Sequence, residues 1–408
     1  MNVRMNSHRE APLNPARLKA VVFALVCAAF ANIYITQPIL SVLENEFHAS
    51  LLHVSFSVSA VLLGIALANL PFGWLADRWP VGRLVMIGGT VIALAGLVCS
   101  VTDNLSVLIA ARFVQGAFVP ALTTCLAAHL ARLLPPASLN VVMGSYVAAT
   151  VLGGMVSRLL GGYVFPPAHW RWAFVAAALT VALAVVLAWR ELRDAPAPPA
   201  QHRDSVGFLA LLSRPALWLS YLCDMAGQAV FSPVFNTMPY RLAEPAFALT
   251  TRETSLMYLV YVVGIVMGPG AGRIANRYGT GRTLMGGATV LAAALLLLMV
   301  PSVLAVVAAL VLVCGGFFTV HAAAVGALNR RLEHGQGRAN ALYVLGYYLG
   351  AWFGITWAAW VYQHYGWTAV MGCALLLVAV PFTAGVLERR AERAAPVAAT
   401  ASAADSPA

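Results

Sequence analysis

Charge is scarce in this chain. Asp, Glu, Lys and Arg make up 10% of its 408 residues, against about 25% in soluble domains. Apolar residues make up 61%, more than a soluble fold of this size can hide from water, so lipid is the expected solvent for most of it. Acids are scarcest inside the apolar runs, where Asp224 stands alone. No G-x-x-x-x-G-K-[ST] phosphate loop occurs, and no soluble stretch is long enough to bind ATP, which argues against ATP-driven transport. H-E-x-x-H, G-x-S-x-G and Cys/His metal spacings are also missing, so neither an enzyme nor a cofactor is expected. The six cysteines (Cys27, Cys99, Cys125, Cys223, Cys314, Cys373) form no C-x-x-C pair and lie within apolar runs. They read as buried thiols without a disulfide or metal framework.

The apolar residues fall into twelve runs, roughly 19–41, 51–72, 83–101, 105–128, 139–163, 170–189, 215–238, 253–271, 282–300, 302–326, 340–362 and 366–387. Each approaches the about 20 residues that a helix needs to span a bilayer. Six runs precede RELRDAPAPPAQHRDSVG, from Arg190 to Gly207, and six follow it. That stretch is rich in Pro and charge and reads as a linker. The expected organisation is a segment 1–18, a bundle 19–189, a linker 190–214, a second bundle 215–387 and a disordered tail 388–408. No small-residue cleavage site follows the first run, so it reads as a membrane helix and not as a removable signal.

The net charge of +10 would suit nucleic acid, but the basic residues do not cluster; they punctuate the ends of the runs. With the N-terminus placed in the cytoplasm, 20 of them fall in cytoplasmic segments and only Arg171, Arg241 and Arg252 outside. Arg112 and Arg158 remain, inside runs. This positive-inside asymmetry places both termini in the cytoplasm and requires an even number of crossings.

One pattern occurs twice. GWLADRWPVGR runs from Gly73 to Arg83, and GRIANRYGTGR from Gly272 to Arg282, 199 residues later. Both read G-x-x-x-[D/N]-R-x-x-x-G-R between two apolar runs, as Gly73, Asp77, Arg78, Gly82, Arg83 and as Gly272, Asn276, Arg277, Gly281, Arg282. A basic tight loop repeated once per half indicates a duplicated membrane bundle.

The doubled loop resembles the conserved cytoplasmic motif between helices 2 and 3 of the major facilitator superfamily, echoed between helices 8 and 9. Here Pro80 and Val81 separate Trp79 from Gly82, and Asn276 replaces the acid in the second copy. The fourth run places Leu108, Arg112, Gln115 and Gly116 at the spacing of a second superfamily motif, one associated with proton coupling. The fifth run, with Gly144, Gly153, Ser157-Arg158 and Gly161-Gly162, resembles the antiporter motif of drug exporters, except that Ser157-Arg158 stands where those have Gly-Pro. The resemblance implies an all-α membrane protein of twelve transmembrane helices in two pseudo-symmetric six-helix bundles, close to proton-coupled multidrug and arabinose-efflux-like exporters.

An ionisable group in a bilayer centre costs about 2.5–3.5 kcal/mol or more, so each one needs a reason. Asp224 lies nine residues into the seventh run, roughly 13 Å deep at about 1.5 Å per residue. His321 in the tenth run lies at a comparable depth, and in the superfamily helices 1, 4, 7 and 10 surround the central cavity. A carboxylate and an imidazole at one level can share a proton, since histidine titrates near neutral pH. Arg112 and Arg158 have no acid at their depth, which suits a coupling role, an anionic substrate, or bonds to helix-end carbonyls. Asn32, Tyr34, Thr36, Gln37, Gln115, Tyr146, Gln228, Asn236, Tyr258, Tyr261, Tyr347 and Tyr348 are polar or aromatic within runs and are candidates to line a cavity. The doubled loop is the expected conformational gate, its contacts forming when the cytoplasmic face closes.

The expected function is therefore secondary active transport in the inner membrane: proton-coupled efflux of a small organic solute or drug, by alternating access. Expected partners are that solute, protons and the lipid bilayer, with no nucleic acid, and the protein is expected to be a monomer. A proton-coupled importer of an organic anion or nutrient is the first alternative. A non-transporting sensor or intramembrane enzyme is the second, and it would need an output domain or catalytic constellation.

Overall fold

The computed structural model describes residues 15–134, 136–165, 167–192 and 206–404, and among these there are helices and connecting turns but no strand. The first crossing is made of α1 (Pro15–Ala31) and α2 (Leu40–Phe47). It is followed by α3 (Leu51–Ala76), α4 (Val81–Val101), α5 (Leu105–Leu122) continued by α6 (Thr124–Leu133), α7 (Pro136–Leu159) and α8 (Arg171–Leu192). After the short α9 (Phe208–Leu212), the second half comprises α10 (Pro215–Ala243), α11 (Thr251–Leu256) with α12 (Val262–Tyr278), α13 (Thr280–Leu297), α14 (Val303–Arg330) and α15 (Gln336–Ala404). α15 holds two crossings, because Gly366 adopts φ 74°, a conformation that glycine reaches without strain and that ends one helix and starts the next. Among the described residues the path has twelve crossings, six in each half.

Among the described residues, eight helices are long and apolar enough to span a bilayer, and Thr251–Met267 with Gly270–Tyr278, bent by 47° within α12, makes a ninth when taken as one span. α1 is too short to pass alone, since it stops at Ala31. The apolar run over 19–41 predicts one continuous helix, but the chain breaks over residues 32–36 and re-enters through a 3-10 turn at Gln37–Ile39. The break is fixed from outside. Arg112 on α5 takes the carbonyls of Asn32 and Ile33, which a continuing helix would have used itself.

Each half has its own apolar core, and α15 joins them: Tyr348, Ala351, Ile355 and Ala359 pack into the core of the first half, while Ala358, Val370 and Met371 belong to that of the second. Where α3 crosses α5, Gly64 faces the Phe113 carbonyl and Gly116 faces the Val61 carbonyl, with no room at either for a Cβ. Small residues let the backbones approach this closely, which supplies the packing attraction that lipid-exposed apolar surface cannot.

The tail expected to be disordered from 388 continues α15 as helix to Ala404. Its first turns are held by Glu388, which pairs with Arg331, and by Glu392, which accepts from the Thr280 backbone N–H at 2.7 Å. Most of the expected 1–18 segment and of the 190–214 linker lies outside the described residues.

Candidate functional site

α10 explains where the polar groups of the interior lie. Ser220, Asp224, Gln228, Ser232 and Asn236 recur every four residues, a stripe that winds by about 40° per step around the helix, and all five are buried. Such a stripe cannot face lipid. It turns inward, against α14, α15 and the first half.

Asp224 is fully buried, and His321 of α14 meets it at 2.7 Å between Nδ1 and Oδ1. Each residue lies nine positions from the arginine-rich end of its helix, counted from Pro215 and Arg330. The Tyr343 hydroxyl of α15 donates to the His321 backbone carbonyl at 3.1 Å and stands 3.2 Å from Nδ1. Nδ1 is the ring nitrogen that faces the carboxylate, so with Asp224 ionised it carries the proton between them and Nε2 is left to accept another. The imidazole keeps 32% of its surface free, whereas the carboxylate has none.

An aromatic line leads away from this pair. His321 stacks on Phe317 at 5.9 Å, Phe317 on Phe231 at 4.3 Å, and Phe231 meets Tyr261 edge-on at 5.5 Å. Tyr261 ends on the other notable cation of the interior. The Arg158 guanidinium lies 3.9 Å from the Tyr34 ring centroid and 4.3 Å from that of Tyr261. It donates to Gln37 Oε1 at 2.6 Å, the Gly154 carbonyl at 2.7 Å and the Tyr261 hydroxyl at 2.9 Å. Among the described residues, no carboxylate pairs with it. Tyr347 stands beside His321, ring centroids 5.6 Å apart. Sequence reasoning missed Phe231, Phe317 and Tyr343. Their legible signal was spacing: Phe317 with His321, and Tyr343 with Tyr347, each pair one helical turn apart.

Arg112 is placed differently. Fully buried, it donates to the Ser57 carbonyl at 2.9 Å, to the Asn32 and Ile33 carbonyls and to Gln115 Oε1 at 2.7 Å. Gln115 in turn donates to the Ile92 carbonyl at 3.2 Å, and Asn32 to that of Ala28 at 2.8 Å. This cluster ties α1, α3, α4 and α5 together at the break in the first crossing. Of the remaining cavity candidates, Gln228 accepts from Ser232 at 2.7 Å and Tyr146 packs against the first core. Thr36 is buried beside Gln37, while Tyr258 donates to the Phe235 carbonyl at 3.1 Å.

On the fifth crossing the altered pair has two jobs. Ser157 Oγ accepts from the Tyr34 N–H at 2.9 Å, at the break in the first crossing, and Arg158 reaches Gln37 beyond it. Gly153 and Gly161 of the same crossing face the Cys27 and Ile35 carbonyls with no room for a Cβ. Gly144 falls at a position whose surroundings lie outside the description.

The two copies of the doubled loop differ. In the first, Asp77 accepts from Arg132 at 2.9 Å, and Arg78 lies over Trp74 at 3.9 Å. In the second, Asn276, Arg277 and Arg282 are exposed, and an acid arrives from elsewhere, Glu392 capping the start of α13. Gly82 is buried, Arg83 exposed, and nothing lies within 4 Å of a Cβ built on Gly73 or Gly272. The described ion pairs of this face stay within one half.

Hydrogen bonds between the halves gather at the opposite, arginine-poor end. Arg158 donates to Tyr261, Asn236 to Ser55 at 3.2 Å, and the Leu52 N–H to Gln363 at 3.4 Å. Toward the arginine-rich end there is Asn69, which donates to the Ala341 carbonyl at 3.4 Å. The two halves are thus latched at the arginine-poor end.

The sequence pattern of the Major Facilitator Superfamily matches residues 22–244 and 217–405. The "Inner membrane transport protein YnfM" of Escherichia coli (strain K12) is 29% identical over 381 residues, covering 92% of this chain and 91% of its own. A "Multidrug resistance protein B homolog" of Mycobacterium tuberculosis is 30% identical over 204 residues, covering 49% of this chain and 37% of its own. Among solved structures, a bacterial homolog of the human lysosomal transporter Spinster, in an inward-facing and unoccupied conformation, superposes with a TM-score of 0.75 at 13% identity, covering 92% of this chain and 98% of its own.

Proposed function

Since the chain belongs to the Major Facilitator Superfamily, and is therefore a multi-pass membrane transporter and not an enzyme, we propose that it moves a small organic solute across the inner membrane, driven by protons. The observation that carries this reading is the contact of 2.7 Å between Asp224 and His321. A buried carboxylate and a partly exposed imidazole on two helices form a unit whose charge changes with one proton. A change of charge in a low-dielectric interior alters which packing of the halves is favoured. With the halves latched at the arginine-poor end, protons and solute would reach the pair from the arginine-rich side, which the basic-residue asymmetry assigns to the cytoplasm. Opening of the other end would complete one cycle of alternating access. The protein works as a monomer in this reading.

The glycine pattern of the fifth crossing, and the partial match to a multidrug resistance protein homolog, favour export. Ser157-Arg158 in place of the exporter Gly-Pro favours a second reading, import of the solute with protons. The test is a solute screen in proteoliposomes under an imposed pH gradient, with a pH-sensitive dye inside. Solute-dependent proton flux is expected in the native protein and none in Asp224→Asn, which should still exchange solute at equal concentrations. Full proton-driven transport by Asp224→Asn would sink the reading. Comparing inside-out with right-side-out vesicles decides between export and import.

A further inference from the structure

Around Arg158, hydrogen-bond donors outnumber acceptors. A guanidinium has five N–H groups, and three are engaged, by Gln37, Gly154 and Tyr261. Gln37 spends its carbonyl oxygen on Arg158, and its amide nitrogen Nε2 is buried with no partner among the described residues. Both side chains are almost wholly enclosed, at 2% and 1% exposure. Two independent deficits therefore meet in one place. Among the described residues, a full positive charge has no counter-charge and an amide donor has no acceptor. Either alone is unfavourable in an apolar interior.

One chemical group answers both. A carboxylate carries the missing charge, accepts only, and can take two parallel N–H bonds from a guanidinium. The neighbouring side chains describe the rest of the molecule. Tyr34 and Tyr261 lie against the guanidinium, Tyr258 stands 5.2 Å from it, and Phe231 and Phe317 continue the surface toward His321. Aromatic faces suit a flat, conjugated body. A cationic solute would be repelled here.

We propose that Arg158 and Gln37 together receive the carboxylate of a planar organic anion, which displaces the Tyr261 hydroxyl from the guanidinium. This names the substrate class of the site and rests on the transport reading above. The displacement follows from which half each partner belongs to. Gln37 and Gly154 are in the first half with Arg158, whereas Tyr261 is in the second and makes the only hydrogen bond from Arg158 across the halves among the described residues. A bond to an ionised carboxylate is roughly twice as strong as one to a neutral phenol, so the anion wins the contested donor. The latch at the arginine-poor end then loses one of its bonds when the substrate arrives.

The test is binding to purified protein in detergent, by titration calorimetry. The probes are benzoate and indole-3-acetate, their neutral amides benzamide and indole-3-acetamide, and acetate. The aromatic carboxylates should bind about tenfold or more tightly than either the amides or acetate. Arg158→Gln should erase that preference. Tyr261→Phe, which keeps the ring and removes the competing hydroxyl, should tighten carboxylate binding by about 3–10-fold; it carries the test even where Arg158→Gln fails to fold. Equal binding of carboxylates and amides, acetate binding as well as indole-3-acetate, no carboxylate binding, or weaker binding in Tyr261→Phe would each overturn the proposal. The transport reading is separable: loss of proton flux in Asp224→Asn without any carboxylate preference would remove the substrate class and leave proton coupling standing.

Discussion

His321 Nδ1 lies 2.7 Å from Oδ1 of Asp224, 97 positions away in sequence, each residue nine positions from the arginine-rich end of its helix. Neither group has another charged partner among the described residues. They are one electrostatic unit, and the unit, not either residue, is what a proton would charge or discharge.

Residues that act as a unit fail together. Asp224→Asn and His321→Gln should each lower proton-driven transport strongly, and the double variant should be no slower than the worse single one. Rates of solute-dependent proton flux in proteoliposomes measure this. If the two losses multiply instead, the groups act independently and the pair is only a packing contact. Tyr343→Phe, which frees the His321 carbonyl, should move the pH midpoint of transport while solute exchange at equal concentrations continues.

Arg112 should behave as a brace. Its donors hold three backbone carbonyls and one side-chain amide around the break after Ala31. Arg112→Ala leaves those buried carbonyls without donors, each at about 1–3 kcal/mol, so the loss should be about 3 kcal/mol or more. Arg112→Lys should recover little of it, because an ammonium cannot reproduce the planar fork. Thermal unfolding in detergent checks both variants, beside Arg78→Ala, whose exposed side chain should matter by about 0.5 kcal/mol or less. Unchanged melting in Arg112→Ala would instead give Arg112 a role confined to transport.

Much of this was legible in one dimension. The apolar runs gave the crossings, and depth along two runs brought Asp224 level with His321, because helix rise converts sequence position directly into height. The break in the first crossing was not legible. Asn32, Tyr34 and Thr36 mark the stretch as more polar than the residues before it, but polar residues within a run do not say that the helix opens there, and the group that takes its carbonyls sits 80 positions away on α5. The aromatic line was hidden for a similar reason. Phe231 and Phe317 look like any lipid-facing phenylalanine until the turn of α10 and α14 about their axes is known. That turn is set by the polar stripe from Ser220 to Asn236, whose four-residue spacing was available to be read.

The doubled loop yields the last prediction. A side chain at Gly73 would meet nothing within 4 Å, so this latched arrangement places no steric demand on that glycine. Its neighbours Asp77 and Arg132 pair within one half. If the loop packs against the second half only when the arginine-rich end closes, Gly73→Leu should leave thermal stability unchanged here yet slow transport about tenfold, by blocking the closed arrangement. Gly116→Leu serves as the contrast, since a Cβ there already collides with the Val61 carbonyl, and it should lose stability and transport together. Melting temperature and solute flux, measured on the same preparations, separate the two effects. Native-like flux in Gly73→Leu would remove the loop from the gate and reduce its arginines to markers of the side on which it lies.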